Sequence, residues 1–275
     1  MNALRSEVFM LSKRPLVYVI CGIWILQIVL FAYGIPLIVA NALPEGQNTA
    51  PLFAILAFPK SMGTILGSYP MFGGAVFLIL GAFIGGAEFG WGTWKVRLWQ
   101  GPSRWDVVCA KFVAAAGASA LIALIANLAG FLTSYVISMM SGLPTDAPIL
   151  GDILGGMGSS MLTAAAFCAL GLGLAIITRS LALALAIGLV WTLAFESIVS
   201  YLVSLWSPLA FIQKFLLGPA SGSLATVFGA TPLSQGGTPG VVDAMPGAVA
   251  VVVLAVYLLL AAAISGVAIN RRDVV

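Results

Sequence analysis

The sequence contains no histidine, and charged side chains make up only 8% of its 275 residues. A soluble domain has about a quarter of its residues charged, so this composition excludes an ordinary water-surrounded domain. Without histidine the chain lacks the commonest proton shuttle and metal ligand, which excludes Ser–His and His–metal catalysis. Hydrophobic residues make up 61% of the chain. We therefore expect an all-α membrane protein that is not an enzyme and holds no metal or cofactor of its own.

Cysteines and nucleotide-binding motifs are also scarce. The three cysteines are odd in number and form no Cys-x-x-Cys pair, which argues against a disulfide framework. We interpret them as small buried apolar residues. No Gly-x-x-x-x-Gly-Lys-[Ser/Thr] motif occurs, so the chain cannot hold ATP phosphates on a P-loop. The net charge of +3 is spread over positions that flank apolar runs, and nucleic-acid binding is not expected.

Six long apolar runs dominate what is present. A membrane-spanning helix needs about 20 predominantly apolar residues, and each run meets that length. The predicted spans are approximately 16–40, 69–88, 112–140, 153–178, 181–206 and 246–269. They leave no room for a soluble catalytic domain, so we expect one transmembrane domain over residues 1–275.

The basic residues are distributed asymmetrically about these spans. Ten of the twelve lie on one side: Arg5, Lys13, Arg14, Lys95, Arg97, Arg104, Lys111, Arg179, Arg271 and Arg272. Lys and Arg in short loops are retained on the cytoplasmic side, which predicts cytoplasmic termini and a multi-pass protein of the bacterial cytoplasmic (inner) membrane. Leu4, Val8 and Leu11 share one helical face before the first span, which predicts an interfacial N-terminal helix.

Two connections have distinctive patterns. Arg179-Ser180 leaves almost no loop, so the fourth and fifth spans should be antiparallel neighbours. Between the fifth and sixth spans, the short apolar pieces Leu209–Leu217 and Leu224–Phe228 flank Gly218-Pro219. This pattern favours a partly re-entrant or interfacial helical hairpin at about 208–230, where non-helical backbone must be shielded by protein. An ordinary surface loop is the alternative.

The inner loop between the second and third spans has the richest polar pattern. Glu88 lies at the membrane edge, and Trp91, Trp94 and Leu98 fall on one helical face beyond it. That face is suited to insertion into a groove of a partner. Tryptophans also gather at any membrane interface, so docking to a partner and simple anchoring both remain open.

A resemblance to a known family bears on this loop. The order Glu88, Gly92-Thr93, Lys95, Leu98, Pro102, Ser103-Arg104 and Lys111, with Asn270-Arg271-Arg272-Asp273 after the last span, resembles type-2 membrane permeases of ATP-binding-cassette (ABC) exporters. In such permeases the loop forms a coupling helix that binds in a cleft of the ATPase subunit. The resemblance implies that Glu88, Thr93, Lys95, Arg97 and Arg104 transmit motion from the ATPase.

The resemblance also implies partners. These are two cytoplasmic ATPase subunits, which would hold ATP and Mg, and a second permease subunit in a homodimer or heterodimer, all in contact with membrane lipid. The expected function is export of a hydrophobic or amphipathic substrate, such as a drug, a peptide antibiotic or a lipid-like molecule. An ion-gradient-driven transporter is an alternative that predicts paired intramembrane carboxylates or matching broken helices. A membrane scaffold without transport activity is another.

Glu196 is the one acidic residue deep inside a predicted span. It lies about 22 Å along the fifth span, and an acidic side chain near a helix centre costs about 3 kcal/mol on insertion. We expect it to face the bundle interior. One hypothesis places it on the translocation path or at the dimer interface, and the other gives it only a hydrogen bond, for example to Thr192 or Ser197. Gln27 and Asn127 are expected to form hydrogen bonds between helices.

Overall fold

The computed structural model describes residues 3–44, 49–90, 92, 94, 103–203 and 205–271. Within these ranges the regular structure is entirely helical, without strands. In the described part of the chain, four short α-helices, α1, α3, α8 and α9, accompany six helices that are long and apolar enough to cross a membrane. In chain order the helices are α1 (Ala3–Lys13), α2 (Pro15–Ala42), α3 (Ala50–Leu56), α4 (Phe58–Gly90), α5 (Arg104–Ser141), α6 (Leu150–Thr178), α7 (Leu181–Leu202), α8 (Leu209–Gln213), α9 (Leu217–Val227) and α10 (Gly247–Arg271).

Six spanning helices were predicted, but two of them begin well before the predicted spans. Helix α4 begins at Phe58 rather than at residue 69, and α5 begins at Arg104 rather than at residue 112. Pro59 in the first turn of α4 costs no hydrogen bond, because the N–H groups there have no partner within the helix. Ser103 caps α5, its hydroxyl accepting a hydrogen bond from the Asp106 N–H at 3.1 Å, so the helix extends through polar residues outside the apolar run.

Three of the spanning helices contain a π-helical turn. The turns are Ile28–Gly34 in α2, Tyr69–Gly73 in α4 and Val190–Phe195 in α7. Pro36 follows the first turn and Pro70 lies within the second, and proline removes a helical hydrogen bond and clashes with the preceding turn. A local widening of the helix accommodates that clash. The third turn contains no proline and directly precedes Glu196.

Helices α4 and α6 form the centre of the bundle. They pack against each other over most of their length, with α5, α7 and α10 around α6, and with α2 and α7 on either side of α4. Their crossing depends on glycine: a Cβ on Gly81 would lie 1.8 Å from the Cys168 carbonyl oxygen, and one on Gly171 would lie 2.1 Å from that of Leu78. Such an approach of two backbones is typical of small-residue interfaces between membrane helices. The short turn at Arg179 makes α6 and α7 adjacent, as predicted.

Buried aromatic and amide side chains connect the helices at the centre of the bundle. The Trp24 ring packs edge-on against Tyr69 and Phe77, at centroid distances of 4.9 and 5.6 Å. The Tyr69 hydroxyl donates to Asn127 Oδ1 at 3.0 Å, and Asn127 Nδ2 donates to Ser160 Oγ at 2.6 Å. Asn127 therefore joins α4, α5 and α6, which is the interhelical bonding predicted for it.

Gln27 differs from that expectation. Its side-chain oxygen is buried and accepts no hydrogen bond within the described ranges.

The three cysteines are free, and they differ in environment: Cys168 is buried, Cys21 is partly buried and Cys109 is exposed. The interpretation of all three as buried residues is therefore wrong for Cys109.

The two short apolar pieces before the last span are divided differently from the prediction. Helix α8 ends at Gln213, and Gly218-Pro219 lies inside the first turn of α9, not between two helices. Proline is tolerated in a first turn because no N–H is needed there. Most of α9 is buried against α10, α4 and α6. Gly222, in the middle of α9, lets the loop before α10 approach this helix closely, because a Cβ there would lie 2.5 Å from the Gly240 carbonyl oxygen.

Candidate functional site

Among the described residues, four charged side chains from four parts of the chain form a buried ion cluster. The Lys111 ammonium lies 2.8 Å from Glu88 Oε1 and 3.1 Å from Glu7 Oε1. Arg14 Nη2 donates to the same Glu88 oxygen at 2.9 Å. Lys111 is fully buried, while the Arg14 side chain is 17% exposed. We call Glu7, Arg14, Glu88 and Lys111 the ion cluster.

The positions of these residues explain why they meet. Glu7 comes from α1, Arg14 from the turn into α2, Glu88 from the last turn of α4 and Lys111 from the second turn of α5. An unpaired charge in such a place would lose several kcal/mol of hydration. The ion pairs between the two carboxylates and the two cations therefore hold the ends of these helices next to one another.

An aromatic side chain covers the cluster. Trp94 is buried, and its ring centroid lies 5.4 Å from the Lys111 ammonium. The Trp94 ring also stacks on the Phe89 ring, with 5.2 Å between the two centroids. A cation over an indole face is stabilised by the ring quadrupole. Trp94 was predicted to share an outward face with Trp91 and Leu98. In the structure the Trp94 side chain instead packs against Phe89 and Lys111 of the same chain. Trp91 and Leu98 lie outside the described residues.

Arg104 connects the start of α5 with the end of α10. Its Nη1 donates to the Ile269 carbonyl at 2.9 Å and to that of Asn270 at 3.5 Å. The last carbonyls of a helix lack partners within the helix, and a cation there also complements the helix dipole. Trp105 packs on Gly266, where a Cβ would lie 2.0 Å from the ring. We call this end of the bundle, which carries the ion cluster, Arg104 and Arg179, the basic end.

The predicted coupling residues divide into two groups. Glu88 and Arg104 lie at the two ends of the inner loop, and each binds another part of the bundle. Thr93, Lys95 and Arg97 lie outside the described residues. The structure thus places Glu88 in an ion cluster and Arg104 at a helix terminus.

Sequence reasoning did not identify Glu7, Arg14 and Lys111 as members of a common site. The signals were present: Glu7 interrupts the apolar side of α1, and Lys111 lies at the edge of a long apolar run. A charge in either position needs a partner. The positions of Glu7 and Lys111 in the sequence do not indicate that these two residues form an ion pair with each other.

Glu196 is buried and caps a helix. Its Oε2 accepts from the Gly218 N–H at 2.7 Å, and its Oε1 accepts from the Leu217 N–H at 3.2 Å and from Trp191 Nε1 at 3.1 Å. The first N–H groups of a helix lack partners, and a carboxylate there also complements the dipole. Glu196 of α7 therefore holds the N-terminus of α9. The suggested partner Thr192 instead donates to the Gly188 carbonyl.

The π-helical turn in α7 makes this arrangement possible. Residues five apart on a regular α-helix are separated by about 140° around the axis, which would keep Trp191 and Glu196 on different sides. The wider π turn over Val190–Phe195 brings them within hydrogen-bonding distance. π turns occur frequently at functional sites.

Glu196 also lines an open cleft of about 620 Å³ at the opposite end from the ion cluster. The cleft lies between α4, α7, the start of α9 and the loop before α10. Its polar lining residues are Thr192, Glu196, Ser197, Ser200, Tyr201, Gln213, Ser234 and Asp243. Within the described ranges, no group of three or more His, Cys, Asp or Glu side chains is placed to hold a metal ion.

The described residues define a class of protein: their regular structure is all-helical, and six of the helices are long and apolar enough to cross a membrane, as in multi-pass membrane proteins. The family model described as "Protein of unknown function (DUF2705)" matches residues 19–275, which is most of the chain. The chain therefore belongs to the DUF2705 family. No curated protein matches it.

Proposed function

We propose that this chain is the membrane-spanning permease subunit of an ABC exporter. It would move a hydrophobic or amphipathic substrate, such as a drug, a peptide antibiotic or a lipid-like molecule, out of a bacterial cell. Two cytoplasmic ATPase subunits would hydrolyse ATP, and a second permease, identical or different, would complete the transporter.

The observation that carries this proposal is the attachment of the inner loop at both of its ends. Glu88 before the loop and Lys111 beyond it lie 2.8 Å apart. Through Glu7 and Arg14 they bind α1 and the start of α2, and through Arg104 the loop's end binds α10. A push on residues 91–103 would therefore act on five helices together, as a lever driven by a separate ATPase requires.

The distribution of basic residues supports an orientation for the chain. The basic end would face the cytoplasm, where lysine and arginine are retained, so both termini would be cytoplasmic. Leu4 and Val8 of α1 are exposed while Glu7 and Leu11 pack on the bundle, which suits a helix at the interface. Helix α9 lies buried beside the spanning helices, and residues 208–230 would enter the bilayer from outside and return.

The test is co-purification of this chain with ABC ATPase subunits from the cells that produce it. Detergent-solubilised complexes should contain the ATPase in equimolar amount. Charge reversal at Lys95 and Arg97 together should weaken its retention by about tenfold or more, because paired charges at an interface set affinity and docking. The matched control is Arg5→Glu, since Arg5 is exposed on α1 at the same end.

Three results would contradict the proposal. The first is that no ATPase is retained with the wild-type chain. The second is that Arg5→Glu weakens retention as much as the reversal at Lys95 and Arg97. The third is that the purified chain alone transports a substrate into liposomes without ATP, which would favour a secondary transporter.

A further inference from the structure

A second cleft, of about 700 Å³, opens at the basic end between α2, α4 and α7. We call it the basic-end cleft. Its walls are mostly apolar, and two arginines contribute to its lining. The lining residues are Arg14, Pro15, Leu16, Phe83, Gly86, Ala87, Phe89, Gly90, Arg179, Ser180, Leu181 and Ala182.

Small residues on α4 create the space. A Cβ on Gly86 would lie 2.8 Å from the Leu181 Cα, so this glycine lets the start of α7 approach. A Cβ on Gly90 would meet nothing within 4 Å. The last turn of α4 therefore forms an open floor, with α2 on one side and α7 on the other.

The charge in the basic-end cleft is positive. Arg14 lines it while also binding Glu88. Among the described residues, no carboxylate lies within ion-pairing distance of Arg179. Guanidinium groups present planar sets of N–H donors that match phosphate and carboxylate oxygens. The cleft therefore combines anion recognition with an apolar wall.

The backbone at Arg179 indicates that its side chain is needed. Arg179 has φ 54°, the only positive φ of a non-glycine residue within the described ranges. An L-residue in this conformation is strained, and glycine would form the same turn more easily. The turn between α6 and α7 thus gives no reason for an arginine, whereas the cleft beside it does.

We propose that the basic-end cleft binds an anionic lipid. The phosphate of the headgroup would lie between the guanidinium groups of Arg14 and Arg179, and the acyl chain would lie along Leu16, Phe83 and Leu181. Both arginines stand at the ends of spanning helices, which is the level of a headgroup. A free anion would leave the apolar walls uncovered, and a lipid without net charge would leave the cleft's positive charge unbalanced.

The experiment measures lipid retention on the purified, delipidated chain by native mass spectrometry. The probes are phosphatidylglycerol and phosphatidylcholine with identical acyl chains. A basic residue near an anionic lipid contributes roughly a fivefold gain in affinity. Because the charge of Arg14 is already balanced by Glu88, Arg179 alone should favour phosphatidylglycerol by about fivefold. Inorganic phosphate at the same concentration should not displace it.

Two variants separate binding from folding. Arg179→Gly should weaken phosphatidylglycerol binding about fivefold, leave phosphatidylcholine unchanged, and leave the Tm unchanged or higher, because the turn is relieved. Gly90→Leu should reduce the retention of both lipids by filling the cleft. Arg5→Gln is the control, because it removes an exposed charge on α1 that is outside the cleft lining. It should change the binding of neither lipid.

The proposal is independent of any ATPase partner. It is overturned if the two lipids bind equally to the wild-type chain, or if Arg179→Gly retains phosphatidylglycerol as the wild type does. It is also overturned if inorganic phosphate displaces the lipid at equal concentration, since the acyl chain would then contribute nothing.

Discussion

At the level of single residues, the charges inside the bundle are placed where backbone or side-chain partners satisfy them. Glu196 binds the first N–H groups of α9, and Arg104 binds the last carbonyls of α10. Lys111 lies between Glu7 and Glu88. Removing one partner of a buried pair leaves an uncompensated charge, which costs much more than the net stabilisation from the pair.

Replacing Lys111 tests this pairing. Lys111→Met leaves the carboxylates of Glu7 and Glu88 without their shared cation, and should lower the free energy of unfolding by about 3–5 kcal/mol. The double variant with Glu7→Gln removes one carboxylate as well, and should recover at least about 1 kcal/mol. Unfolding of the detergent-solubilised variants measures both. Strict additivity of the two single changes would contradict the pairing.

At the level of helices, the sequence predicted the existence of each span better than its ends. The apolar runs identified all six helices, because crossing a bilayer requires about 20 apolar residues whatever the neighbours are. Helix α4 extends back to Phe58 through Pro59 and Pro70, which a sequence reading takes as breaks. A first turn and a π turn accommodate these prolines, and only the structure reveals those turns.

The α4–α6 crossing gives a test at this scale. Gly81→Ala places a Cβ against the Cys168 carbonyl oxygen, 1.8 Å away before any movement. The helices must separate, so the free energy of unfolding should fall by about 1–3 kcal/mol or more. Gly117→Ala in α5 is the matched control, because a Cβ there meets nothing within 4 Å. It should stabilise by roughly 0.5–1 kcal/mol through helix propensity, and equal losses in both variants would contradict the packing.

At the level of the whole molecule, the positive charge collects at one end. Arg14, Arg104, Lys111 and Arg179 all lie there, since contacts join them to Glu88, α10 and the basic-end cleft. Helix α5 has 38 residues and is about 57 Å long at 1.5 Å per residue. The hydrocarbon core is about 30 Å thick, so both ends of α5 should extend beyond it.

Labelling of the two ends of α5 can determine the orientation of the chain in the membrane. Native Cys109 near one end and Ser141 at the other are exposed. With Cys21 and Cys168 replaced by serine, a membrane-impermeant maleimide should label Cys109 only after cells are permeabilised. Ser141→Cys in a chain lacking the other cysteines should be labelled in intact cells. The reverse pattern would contradict cytoplasmic termini.

The sequence by itself determined how many helices are apolar enough to span a membrane, and which connections carry the positive charge. These properties follow from local composition, because a span needs only its own residues to be apolar. The partner of each buried charge was decided only by the tertiary structure. Glu7 and Lys111 are far apart in the chain, as are Glu196 and Gly218. Helix periodicity gives the direction of a side chain on its own helix, whereas the packing of the other helices decides which group it meets.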